Sequence, residues 1–435
     1  MGAAGIVLHR VTKEGCMNGK LALVALSLVA GIAAASRVRA DNEFELPKHL
    51  PNNFPHFNPS GFATTVAPGG FVDLTGPFFR PQGTNGRSCS TCHLAQDAWS
   101  ITPASIGLLF ASTDGMHPIF NPLDADNPDG DLSTVEARRA AYSMMLTRGL
   151  FRRGGAPRAE REWDVVGVDD PHGFANTNRI VQWRRVMPTI NFHLGSATVA
   201  WDGGNTAGTD QLAGLANQAT RNVTGAQQGQ PAPPEVIADI VAFETSLSTA
   251  QAFSFTAGFL DHGDARGGAT LLSRMTRASG RFDLFDEWAA SRIPSRAQVA
   301  RGQALFNNPN PGGRRCNGCH NSANNGTNTN DLLFDIGTAS AEARAADLPL
   351  YTIRNRATGE ERQLTDTGLG NVTGLWSDLS RFKTPTLRAL AARAPYFHNG
   401  IASTLDDVVR HYETHLGFVF TDQERADLVA FLKAL

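Results

Sequence analysis

The chain has 435 residues, a formal net charge of −2 and 41% hydrophobic residues. That length is enough for two domains, each with its own core. The near-balanced charge removes any electrostatic case for a nucleic-acid or anionic-membrane partner. With 43 glycines and 23 prolines, long surface loops around a modest helical core are expected.

At the N-terminus, Lys20 precedes the apolar run Leu21 to Ala35, and Val38-Arg39-Ala40 places small residues at both cleavage-determining positions. This predicts a signal peptide over 1–40, cleaved after Ala40, and export to the periplasm. Met17 offers an alternative start with a more compact n-region. The run is shorter than a bilayer span requires, and no other stretch qualifies, so no membrane span is expected in the mature protein.

Cys16 precedes the cleavage point, which leaves Cys89, Cys92, Cys316 and Cys319. They stand in Cys89-Ser90-Thr91-Cys92-His93 and Cys316-Asn317-Gly318-Cys319-His320. Each is C-x-x-C-H, the attachment pattern of c-type haem. Two thiols three apart on a turn reach the two vinyl groups at one haem edge, and the adjacent histidine lies under the iron. A redox dithiol or half a zinc site is the competing reading of one such motif. Two copies behind an export signal, with no cysteine left over, favour two covalent haems.

The chain also repeats itself. Pro188-Thr189-Ile190 precedes Trp201-Asp202-Gly203, and Pro385-Thr386-Leu387 precedes His398-Asn399-Gly400 at the same spacing. Each half ends in a related helix, at Ala238 to Phe243 and at Ala426 to Phe431, the second opened by the capping box Thr421 to Glu424. Arg301 to Phe306 reads as the helix leading into the second site. The expected architecture is therefore mainly α. Two cytochrome c-like domains cover 41–255 and 296–435, joined by a linker over 256–295. The first domain carries an insertion, in which Ser133 to Glu136 opens a helix through Met145. Before it, Asp124 to Asp131 is similar to a calcium loop, but Pro128 breaks the ligand alternation, and a solvated acidic turn is expected.

The chemistry depends on the sixth ligand of each iron. No methionine follows the second motif, so an ordinary His/Met pair is not expected there. Tyr412, His411, His415, His398 and Tyr396 are the local candidates.

At this point the sequence resembles a known family. Phe382 to Arg388, then Ala394 to Gly400, then Thr404 to Val409, resemble the C-terminal signature of bacterial dihaem cytochrome c peroxidases, a family that includes the tyrosine-ligated maturation enzyme of methylamine dehydrogenase. The resemblance implies Tyr412 as second ligand of the His320 haem and a reactive first haem on His93. It implies Trp201 as the relay between the haems and Gln211 in the distal pocket of the first. The family's acid–base glutamate corresponds to Arg221, a poor base at neutral pH that could supply charge stabilisation. Where other members carry a displaceable histidine, this chain has Leu108 and Leu109; His117 nearby is expected at the surface. Some members bind calcium through carbonyls near Arg393 and Pro395, but the side-chain ligand expected near Val186 is missing, which leaves calcium unsupported.

The resulting expectation is a periplasmic dihaem oxidoreductase. Hydrogen peroxide or dioxygen reacts at the first haem. Electrons come from a small redox protein, an oxidisable protein side chain or an organic substrate. The rival is a non-catalytic dihaem electron carrier.

Overall fold

A computed structural model describes residues 47–435, so the signal peptide, Cys16 and the cleavage point after Ala40 lie outside the described residues. The second half is built on two crossed helices. Pro294–Asn307 starts on a proline, whose missing N–H costs nothing in a first turn. It buries Val299, Ala300, Gly302, Gln303 and Phe306 against Asp422–Lys433, which buries Leu428, Phe431 and Leu432. Gly302 sets the distance: a Cβ there would lie 2.0 Å from the Asp427 carbonyl oxygen. The capping box at Thr421 forms as read, with Thr421 N donating to Glu424 and Glu424 N donating to the Thr421 hydroxyl. In the first half, Gln211–Arg221 and Pro234–Ser246 play the corresponding part, with Leu215, Ile240 and Val241 in one core cluster.

The mainly helical expectation holds only in part, because among the described residues strands form five small sheets beside the helices. Gly61–Val66 pairs antiparallel with Ser248–Ser254, and Leu150–Gly155 with Ile180–Arg185. Leu350–Asn355 lies between Glu361–Leu364 and Trp163–Asp169, with Tyr351 opposite Val168. That last pairing joins the two halves of the sequence, and residues 48–435 cluster as one body. The stretch read as a linker is packed: Phe282, Leu284, Phe285 and Trp288 share a core with Phe306 and Phe431.

Two readings of the insertion need correction. The helix expected through Met145 breaks at Tyr142 into Val135–Ala141 and Ser143–Arg148. The Tyr142 hydroxyl donates to the Phe120 carbonyl, turning the ring inward. The acidic run is not solvated at its start. Asp124 is 2% exposed and pairs with Arg87 at 2.7 Å, and Asp126 is 4% exposed and accepts from Ser143 and Met144. Buried carboxylates need such partners. Here they tie the insertion to the segment leading into Cys89. Among the described residues no helix is long and apolar enough to cross a membrane.

Candidate functional site

Both C-x-x-C-H segments fold into a single tight turn, at Cys89–Thr91 and Cys316–Gly318. In each, the histidine N–H donates back to the first cysteine's carbonyl, which brings the imidazole under the two thiols. The first turn is capped from Ser88, whose N–H donates to Thr91 Oγ1 at 2.9 Å. His93 Nδ1 lies 2.9 Å from the Trp99 carbonyl oxygen, and His320 Nδ1 lies 2.7 Å from that of Gly326. A carbonyl on Nδ1 selects the tautomer with Nδ1–H and leaves Nε2 free for a metal. Burial lowers the pKa of both rings to about 4, so they are neutral, as a ligand must be. Thr189, from the first Pro-Thr loop, adds its hydroxyl at 2.9 Å from His93 Nδ1. In the second loop, Thr386 instead donates to Asn325 at 2.6 Å, beside the carbonyl that holds His320.

A cavity opens beside Cys316, Cys319 and His320, walled by Phe306, Leu387, Leu405 and Leu428 and lined also by Tyr412. Tyr412 is carried by Leu405–Leu416, whose Thr404–Asp407 capping box fixes where that helix begins. The hydroxyls of Tyr142, Tyr351 and Tyr396 each donate to a backbone carbonyl. That of Tyr412 has no such partner among the described residues, although burial raises its pKa. The neighbouring Cys316 and Cys319 thiols push it the same way. A half-buried phenol without a partner, lining one largely apolar cavity with two thiols and an imidazole whose Nε2 is free, fits a haem held there. His411 and His415 do not line this cavity, and His411 Nε2 is 2.8 Å from the Ile336 carbonyl.

Trp201 lies on the wall of the same cavity, its indole N–H donating to the Arg185 carbonyl at 2.8 Å. Its ring is 6.3 Å from that of His398, the residue at the equivalent position of the repeat. The duplication thus brings its two corner aromatics together. Behind them, Arg184 is shared between Asp202 and Asp366 at 2.6 and 2.7 Å, a buried triad that sequence reading missed. His398 is 2% exposed and stacks on Phe382 at 3.9 Å.

Gln211 and Arg221 sit at the two ends of one helix, and both hold the loop that bears Trp201. Gln211 donates to the Ser196 carbonyl at 2.7 Å. Arg221 is exposed and donates to the Gly204 carbonyl at 2.9 Å and to Asn205. Leu108, on Pro103–Thr113, is exposed. His117 is half-buried and accepts from the Ile119 N–H within its own turn. The residues near Arg393 do not fit calcium. The Arg393 carbonyl accepts from the Arg185 guanidinium at 3.1 Å, and both buried guanidiniums place positive charge where a cation would sit.

No protein-family model matches the chain. It is 30% identical over 187 residues to cytochrome-c peroxidase IdrP1 of Denitromonas iodatirespirans, covering 38% of this chain and 46% of that protein. Against cytochrome c551 peroxidase of Nitrosomonas europaea it is 29% identical, covering 38% and 44%. The matched stretch is therefore less than half the length of these peroxidases. With the methylamine utilization protein MauG of Methylophilus methylotrophus it shares 25% identity over 373 residues, covering 80% of this chain and 93% of that one. By these comparisons the chain is similar to cytochrome-c peroxidases and to MauG.

Proposed function

We propose that the protein is a periplasmic, peroxidase-like oxidoreductase carrying two covalent c-type haems, one on Cys89, Cys92 and His93 and one on Cys316, Cys319 and His320. Tyr412 would help hold the latter, its phenol lining the same cavity as His320. When bound, haem at the first site would supply reactivity towards hydrogen peroxide or dioxygen, and haem at the second would supply a store for an oxidising equivalent. The protein's own part is to hold and insulate. The Trp99 and Gly326 carbonyls orient the proximal imidazoles, and the apolar walls around Tyr412 keep water from the second site. Trp201, between that cavity and the first half of the chain, carries the electron between sites. Gln211 and Arg221 position it by clamping the loop on either side. The position matched to the family's acid–base glutamate holds Arg221, which is exposed and bound to Gly204 and Asn205, so slower peroxide turnover than in a peroxidase with a carboxylate there is expected. Electrons come from a small redox protein or from an oxidisable side chain or organic substrate.

The observation that carries this reading is the Tyr412 phenol, half-buried and without a protein hydrogen-bond partner among the described residues, in the cavity that the second C-x-x-C-H turn also lines. Rapid mixing of the diferric protein with hydrogen peroxide should change the spectra of both haems. Tyr412→Phe should alter only the second haem's ferric spectrum at rest. Two low-spin haems inert to peroxide and cyanide would identify an electron carrier instead. An unchanged spectrum in Tyr412→Phe would reject the ligand.

A further inference from the structure

The two proximal loops solve one problem with different residues. In each, the carbonyl six positions after the histidine receives Nδ1, from Trp99 in the first loop and Gly326 in the second. Both residues are left-handed, with φ of 57° for Trp99 and 78° for Gly326. Glycine adopts that conformation freely, whereas a bulky aromatic there is a strained outlier. The first loop keeps the strain, and Ala98 beside it is left-handed too, at φ 51°. Strain that the surrounding structure maintains is a pointer to function.

What the strain achieves is the placement of an indole one aromatic ring away from the first proximal histidine. Trp99 is 1% exposed. Phe78 bridges it to His93, with ring centroids 6.0 Å from the imidazole and 6.5 Å from the indole. From there the rings of Phe79 and Phe243, at 6.3 and 5.5 Å, continue to half-buried positions. The indole N–H donates to the Thr65 hydroxyl at 3.0 Å, which is itself 2.9 Å from the Thr249 hydroxyl. Hydroxyls are not bases at neutral pH. An indole that loses an electron here would keep its proton on Nε1 and remain hydrogen-bonded.

We infer that Trp99 is a redox-active residue of the first haem site, the port through which an external one-electron donor reaches that haem. The inference rests on the peroxidase-like reading above. Each hydrogen peroxide takes two electrons and two protons to give two waters. Trp99 supplies one electron to the oxidised first site and becomes an indole radical cation. A one-electron donor such as a small redox protein then restores it, and no bond to the indole forms or breaks. This role is separate from that of Trp201, which faces the second cavity.

The test uses the dihaem protein mixed with hydrogen peroxide without donor, freeze-quenched and read by electron paramagnetic resonance with ring-deuterated tryptophan. A tryptophan radical is expected, lost in Trp99→Phe and replaced by a tyrosyl radical in Trp99→Tyr. Both variants should keep two haems by mass and the resting ferric spectrum. With prolonged peroxide, peptide mass spectrometry should find Trp99 oxygenated several-fold more than any of the other five tryptophans. A packing role would be met by phenylalanine or tyrosine with no change in radical identity. If the haem spectra respond to peroxide but the radical persists in Trp99→Phe, or never forms, the port is rejected and the peroxidase-like reading stands. If the spectra do not respond at all, both fall. If Trp99→Phe alone loses haem, Trp99→Tyr decides: a tyrosyl radical supports the port and its absence rejects it.

Discussion

Glu244 is a carboxyl with nothing to hold it. It closes the Pro234–Ser246 helix at 4% exposure, and its Oε2 has no hydrogen-bond partner. Burial raises its pKa from 4.5 to about 8. An acid whose folded-state pKa is raised holds a proton that the unfolded chain has already released. Stability from this group is therefore intact below pH 4.5 and falls as pH rises towards 8, by about 1.4 kcal/mol per pH unit across that window. Glu244→Gln removes the charge and keeps the shape. Its melting temperature should exceed that of the native protein by a margin that grows from pH 5 to pH 8, measured by calorimetry on the haem-loaded form. A margin independent of pH would show that Glu244 is not protonated in the native state. The residue lay one position beyond the repeated Ala238–Phe243 pattern, and nothing in the sequence marks it as buried and unpaired. Cysteine spacing and the lack of later methionines point to the second site, because a haem attachment pattern is read from contiguous residues. Trp99 was legible only by aligning the two proximal loops, six residues past each histidine.

Among the elements, the crossing of Pro294–Asn307 and Asp422–Lys433 sets the second site, because Phe306 at the end of the first helix is 5.9 Å from the His320 ring. Gly302 is the contact point, and two effects oppose each other there. Alanine is favoured over glycine in a helix by about 1 kcal/mol. The added Cβ, however, would meet the Asp427 carbonyl oxygen at 2.0 Å and Phe431 Cβ at 2.7 Å. The first of these is backbone and cannot swing aside, so the helices must part, at a typical cost of about 1–3 kcal/mol. Gly302→Ala should therefore lower stability despite its better propensity and should disturb the second haem's spectrum more than the first's. Denaturant titration followed at both haem bands checks this, and a stabilised variant would mean that the helices do not approach so closely. The helices themselves were readable from capping residues and periodicity. The break at Tyr142 was not, since it depends on a carbonyl 22 residues away.

At the scale of the whole molecule, the sequence reads as two tandem domains, and the structure ties them with strands. Leu350–Asn355 pairs with Trp163–Asp169 across nearly two hundred residues, a register for which the chain has no local signal. Tyr351 deepens the tie. Fully buried, its hydroxyl accepts from the Val181 N–H at 2.6 Å and donates to the Val181 carbonyl at 2.8 Å. The buried Arg184–Asp366 pair adds a charged link of the same kind. If these contacts make the two haem sites one cooperative unit, unfolding cannot begin in one half and spare the other. Tyr351→Phe leaves two buried backbone groups without their hydroxyl, at a cost of about 1–3 kcal/mol. That loss should lower a single transition seen identically by far-ultraviolet circular dichroism and by the bands of each haem. Independent domains would instead show two transitions, and only the half that loses more packing would move. Coincidence of all three signals in native and variant protein is the expected result. It would mean that the proposed inter-haem path, with the Trp201 ring edge-on to that of His398, is held at fixed geometry by the same strands that join the halves.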